Sequence, residues 1–119
     1  MGLPGADKAE ISEAKIVRYL LSPTHSAGFS KAAFFRKHGF APAHWQVLAE
    51  ALRRHAGAGT VTAIEKTAYG MRYVVDGLLA APDGASLNVR SVWFINETTA
   101  RPQFATAHPL KRKTSDQRT

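Results

Sequence analysis

Past Gly59 the hydrophobic periodicity of this chain changes from helical to alternating, and the segments that follow are short, β-rich and separated by turn residues. Before the switch, Ile11, Ile16 with Val17, and Leu20 with Leu21 recur at helical spacing, predicting a helix over Lys8–Leu21. Ser22-Pro23 ends it, because the residue before a proline is pushed out of the α region. Ser30 is an N-cap for a short second helix, Lys31–His38, which Gly39 stops and whose buried side is Phe34 and Phe35. Pro42 opens a third helix to about Ala56, with Trp45, Leu48 and Leu52 on one face and Gly57 at its end.

After the switch, Thr60–Ala68, Met71–Leu79, Leu87–Asn96 and Gln103–His108 read as strands, with Pro82-Asp83-Gly84 as the strongest hairpin signal. Alternation places Leu87, Val89, Ser91, Trp93 and Ile95 on one face, and Asn88, Arg90, Val92, Phe94 and Asn96 on the other. In the last strand it groups Phe104 with Thr106 and His108. Helices first and strands afterwards mean an α+β fold, with two to three N-terminal helices on one face of a four-stranded antiparallel sheet. The other sheet face is left open to bind something. The expected organisation is one domain over residues 1–110, followed by a basic, disordered tail over 111–119.

Charge narrows the partners. Sixteen Lys and Arg against nine Asp and Glu give a net charge of +7, the electrostatic footprint of a protein that meets polyanions, although basic proteins also serve other roles. The tail carries three of those seven charges, so the body is still basic. With no cysteine there is no disulfide framework and no thiolate zinc site. No apolar run approaches the roughly 20 residues needed to cross a bilayer, and Met1–Ala9 lacks the layout of a signal peptide. The expectation is a soluble protein without membrane partners, acting in the cytoplasm.

The residues that carry chemistry start with His25 and Lys31, on either side of a glycine-containing turn between two predicted helices. Histidine titrates near neutrality, and a lysine in the first helical turn adds its charge to free N–H groups that favour an anion. The alternative is a His25 that caps the first helix and a Lys31 that is merely solvated. Arg90, mid-strand and opposite Trp93, offers a fork for a phosphate; equally, it is a cross-strand partner for Asp76 or Glu65. Thr106 can donate to a phosphate oxygen, and His108 or Tyr69 can donate a proton, though strand threonines often reflect β-propensity alone. Tyr69, Arg72 and His108 make up the expected substrate-binding group.

His38, His44 and His55 sit in no HxxxH, HxxE or carboxylate-pair arrangement, so no metal ligands and no cofactor are assigned. His44 and His55 are eleven residues apart, or roughly 16 Å along a helix, too far to share an ion. No GxxxxGK[ST], GxGxxG or GxSxG run occurs. What remains is His, Lys, Arg and a hydroxyl, and RNA can be cleaved with those groups alone. Its own 2′-OH attacks the adjacent phosphate, whereas DNA lacks that nucleophile and usually requires a metal-activated water.

The run Ile11, Lys15, Tyr19-Leu20-Leu21, His25, Gly28, Lys31-Ala32, Phe35 and Gly39-Phe40 resembles the start of a small uncharacterised bacterial domain family. Tyr69-Gly70, Tyr73, Gly77, Gly84, Val89, Trp93 and Thr106-Ala107-His108-Pro109 extend the resemblance over roughly residues 9 to 110. That family is toxin-associated, found at the ends of long secreted toxin polypeptides and as stand-alone proteins. Its architecture is similar to the barnase–colicin–RelE class of RNase toxins. The resemblance implies a metal-independent endoribonuclease toxin with His25 as general base or acid, Lys31 and Arg90 as phosphate and transition-state ligands, and Thr106 positioning the scissile phosphate. It also implies an acidic antitoxin or immunity protein as partner, and delivery from another cell. The family pattern favours tyrosine where this chain has His108, so that position is either a second titrating group or a structural one. The competing function is a non-catalytic module that uses the same basic face to bind RNA or protein. An immunity protein fits poorly with +7, since such inhibitors usually mimic the polyanion.

Overall fold

A computed structural model describes residues 2–21, 29–68 and 70–110, without the side chains of residues 19 and 29–31. Two α-helices, α1 (Phe29–Lys37) and α2 (Trp45–Ala58), precede four strands: β1 (Thr60–Thr67), β2 (Gly70–Ala80), β3 (Ser86–Ile95) and β4 (Pro102–Pro109). The strands form one antiparallel meander in the order β1-β2-β3-β4. This is the α+β architecture expected from the change in periodicity. Among the described residues no helix is long and apolar enough to cross a membrane.

The helix α2 forms where the apolar spacing is cleanest. Leu48, Leu52 and then His55 with Ala56 recur at three- to four-residue spacing and are all buried, and a 3₁₀ turn at Pro42–His44 leads into the helix. Its C-terminus lies on β2 so closely that a side chain would not fit: a Cβ on Gly59 would come within 2.8 Å of the Asp76 carbonyl oxygen, and one on Gly77 within 2.9 Å of the Gly59 Cα. The pair of glycines therefore sets the helix-to-sheet distance. The core between helices and sheet contains Ile16, Leu20, Phe35, Phe40, Leu52, Val75, Leu79 and Trp93. Phe104 meets Trp93 edge-on at a centroid distance of 5.4 Å.

The hairpin forms where Pro82-Asp83-Gly84 places it. Gly84 takes a φ of 90°, its N–H donates to the Ala81 carbonyl at 3.0 Å, and Asp83 Oδ1 accepts the Ala85 N–H at 3.0 Å.

The helix expected over Lys8–Leu21 is not continuous. A 3₁₀ turn at Ala6–Lys8 is followed by an extended stretch in which Glu10 pairs in parallel with Gln103. The Glu10 N–H donates to the Pro102 carbonyl at 2.8 Å and its carbonyl accepts the Phe104 N–H at 2.9 Å. Pairing with the β4 edge takes the backbone groups a helix would use. Helical structure resumes as a π-helix over Lys15–Leu20, with Leu21 N–H donating to the Ile16 carbonyl at 2.7 Å. That wider winding keeps Ile16, Leu20 and Leu21 all on the core side, each fully buried. The second helix begins at Phe29, so Ser30 lies within its first turn instead of capping it.

The grouping of Phe104 with Thr106 and His108 is also corrected. Val92 pairs with Thr106 but Trp93 pairs with Phe104, leaving Ala105 as the extra residue of a bulge. The bulge turns Phe104 into the core beside Trp93, while Thr106 and His108 stay with Val92 and Arg90 on the opposite face.

Candidate functional site

The helices leave one sheet face open, and strand register decides what meets there. On β3 the alternation read from sequence holds: Leu87, Val89, Ser91 and Trp93 are buried beneath the helices, and Asn88, Arg90, Val92 and Phe94 share the opposite face. There Val92 is buried among its neighbours and the other three are half-buried. Arg90 is the register partner of Asp76 on β2 and of His108 on β4. One step along, Val92 separates Val74 from Thr106. Arg90, His108 and Thr106 are thus neighbours on one surface, and Arg72 shares it further along, opposite Phe94.

Arg90 is held, not loose. Its Nε donates to Asp76 Oδ1 at 2.7 Å and its Nη2 to Oδ2 at 2.8 Å. The guanidinium hydrogen bonds hold the Asp76 carboxyl below the usual carboxylate range, assisted by its charge and by His55 and His108, while partial burial opposes them. The same contact raises Arg90 above its ordinary value. Of five N–H donors the carboxylate engages two, so Nη1 and one N–H of Nη2 keep capacity for an anion. Arg72 is likewise paired, Nη1 to Glu65 Oε1 at 2.9 Å across β1 and β2. The cross-strand ion pair offered by the sequence as the alternative for Arg90 is therefore present, with Asp76 as partner.

Lys31 falls in the first turns of α1, a helix that packs against β4. Its side chain lies outside the described residues, as do His25 and Tyr69 entirely. His38 and His44 stand elsewhere: His38 Nδ1 meets Asp83 Oδ2 at 2.9 Å by the hairpin turn, and His44 ends the 3₁₀ turn before α2. Among the described residues no cluster of His, Cys, Asp or Glu is arranged to hold a metal ion.

Beneath the Asp76–Arg90 pair runs a buried polar chain that the sequence did not announce. Trp93 Nε1–H donates to Ser91 Oγ at 2.8 Å, and Ser91 Oγ lies 2.9 Å from His55 Nε2. His55 Nδ1 lies 3.3 Å from the Leu78 carbonyl, which can only accept. That fixes the proton on Nδ1, leaves Nε2 as the acceptor, and makes the Ser91 hydroxyl its donor. Burial pushes His55 below its ordinary value, opposed by the Leu78 and Val75 carbonyls and the Asp76 charge. Ser91 and His55 are 0% and 2% exposed, so this serine–histidine contact is closed to any substrate. The available clue was a lone serine among the inward-facing apolar residues of β3.

The fold is similar to one seen before. A chain of a contact-dependent growth inhibition toxin–immunity protein complex from Klebsiella pneumoniae 342 superposes with a TM-score of 0.71, at 15% identity, covering 92% of this chain and all of that one. No curated protein matches the sequence. A family profile does, over residues 2–111, and the chain belongs to that family, Domain of unknown function (DUF6883).

Proposed function

We propose that this protein is a metal-independent endoribonuclease toxin. The observation that carries the proposal is the register of β2, β3 and β4, in which Arg90, His108 and Thr106 adjoin on the open sheet face. The fold it shares with a chain from a toxin–immunity protein complex supports a toxin role, and the net charge of +7 supports a polyanionic substrate.

In the proposed reaction the RNA 2′-oxygen loses its proton to a base and attacks the adjacent phosphorus. The bond from phosphorus to the 5′-oxygen breaks, and that oxygen takes a proton from an acid. His25 serves as base or acid, with His108 or Tyr69 available for the other role. Arg90 and Lys31 neutralise the charge that builds on the phosphate, and such positioned cations often contribute the larger part of the rate. Thr106 positions the scissile phosphate, and Arg72 holds the flanking strand. Asp76 keeps the Arg90 fork in one orientation, so less freedom is lost when phosphate binds. The toxin acts in the cytoplasm of the cell it enters, and an acidic immunity protein or antitoxin covers the same face.

The ion pairs of Arg90 and Arg72 favour a second reading, a non-catalytic module that docks RNA or protein on this face. Total RNA and tRNA incubated with the purified protein in EDTA separate the two. Cleavage supports the toxin, and binding without scission supports the module.

A further inference from the structure

The open face continues past the Arg90 row into a groove of about 620 Å³ lined by Ala68, Phe94, Asn96, Thr98, Thr99 and Gln103. Phe94 is its aromatic member, half-buried, with Arg72 beside it on β2 and Gln103 beside it on β4. Among the described residues the rest of the lining is two carboxamides, two hydroxyls and a methyl group, with no charged side chain. Asn96 Oδ1 accepts the Thr98 N–H at 2.7 Å, which fixes that carboxamide and leaves Nδ2 as a donor. Gln103 is exposed and its carboxamide makes no hydrogen bond among the described residues.

The described lining suits neither a phosphate nor a metal ion, because it offers no cation and no carboxylate. An aromatic face rimmed by carboxamides and hydroxyls suits a planar ring with donors and acceptors along its edge. Proteins that read single-stranded RNA combine these same two elements, stacking on an aromatic and hydrogen bonds to the base edge. The position fits as well. Phe94 lies two residues beyond Val92, the partner of Thr106, or about 7 Å along β3, and about 13 Å beyond Arg90. A strand whose phosphate lies at Arg90 and Thr106 reaches the groove with its neighbouring nucleotide.

We propose that this groove is a nucleobase subsite for single-stranded RNA, with Phe94 as stacking platform and Gln103 and Asn96 reading the base edge. The identity of its ligand rests on the ribonuclease reading. Its role is to set which base flanks the cleaved phosphate.

The test uses hexamers of U, C, A and G built with 2′-fluoro sugars, which lack the internal nucleophile and so report binding alone. Fluorescence anisotropy compares the native protein with Phe94→Leu and Gln103→Ala. The native protein should prefer one base by about tenfold or more, Phe94→Leu should weaken that binding about five- to a hundredfold, and Gln103→Ala should flatten the preference with melting temperature unchanged. No binding, equal binding of all four, or unaltered affinity in both variants overturns the subsite. Cleavage of ordinary RNA is scored separately. A native protein that binds with base preference and never cuts overturns the ribonuclease reading and leaves the subsite standing. One that cuts, and whose two variants cut the same positions at the same rate, overturns the subsite alone.

Discussion

Arg90 and Asp76 face each other across β3 and β2 through two parallel hydrogen bonds of 2.7 and 2.8 Å. On an open sheet face such a fork is a structural tie and, in the proposed reaction, a preset phosphate ligand. Arg90→Lys keeps the charge and loses the planar fork, so RNA cleavage should fall at least about tenfold, a change of about 1.4 kcal/mol. Initial rates on a short RNA check this, with circular dichroism confirming an unchanged fold.

The same pair sets a pH limb. Asp76 titrates below its ordinary value when folded, so its contribution is complete above the unfolded value near 4 and is lost as pH falls. Both side chains are partly exposed, 39% and 24%, which keeps the contribution to about 1 kcal/mol. Asp76→Asn should therefore be less stable than the native protein at pH 7, with the gap narrowing once the pH falls below about 4. Urea melts above and below that pH measure it.

A second limb comes from His55, whose folded form is neutral and titrates below its ordinary value. The unfolded histidine gains its proton near pH 6.5 and the folded one does not, so stability is full above that pH. Below it, stability declines by at most about 1.4 kcal/mol per pH unit until the folded group titrates too. Ser91→Ala strands the Trp93 N–H and the His55 Nε2 in the core, at a cost of about 1–3 kcal/mol. Thermal melts between pH 5 and 8 on native protein, Ser91→Ala and His55→Gln check both statements. A native profile flat across pH 6.5 would contradict the first.

Ala105 is the extra residue that turns Thr106 and His108 to the open face. Deleting it restores plain pairing with β3: Phe104 stays opposite Trp93 and Thr106 opposite Val92, so each side chain keeps its face. The deletion should therefore retain fold and cleavage, as should Ala105→Gly. A glycine inserted after Thr106, with no partner on β3, should instead slip Ala107 and His108 to the wrong faces, lower the melting temperature and abolish cleavage. Parallel melts and cleavage assays distinguish them.

The sequence made the fold order readable because turn chemistry and periodicity agree along Gly59–Pro109: Pro82-Asp83-Gly84 closes the hairpin, and the β3 alternation places Arg90 opposite Trp93. It failed where a contact distant in sequence decides local structure. Glu10 joins β4 instead of a helix, and the Ala105 bulge breaks an alternation that carries no local marker. The Arg90–Asp76 pair was one of two partners the composition allowed, and only the register between β2 and β3 selects it. Ser91 and His55, 36 residues apart, meet only because Gly59 and Gly77 let α2 settle on the sheet. His25, Tyr69 and the Lys31 side chain lie outside the described residues, so the roles proposed for them rest on the sequence.

The most direct test is cleavage of total RNA and tRNA in EDTA by the native protein, His25→Ala, Lys31→Ala and Arg90→Ala. The account predicts discrete fragments ending in 2′,3′-cyclic phosphate from the native protein and at least about a hundredfold less from each variant. RNA left intact by the native protein over pH 5 to 9, or cut equally by all four proteins, would contradict it.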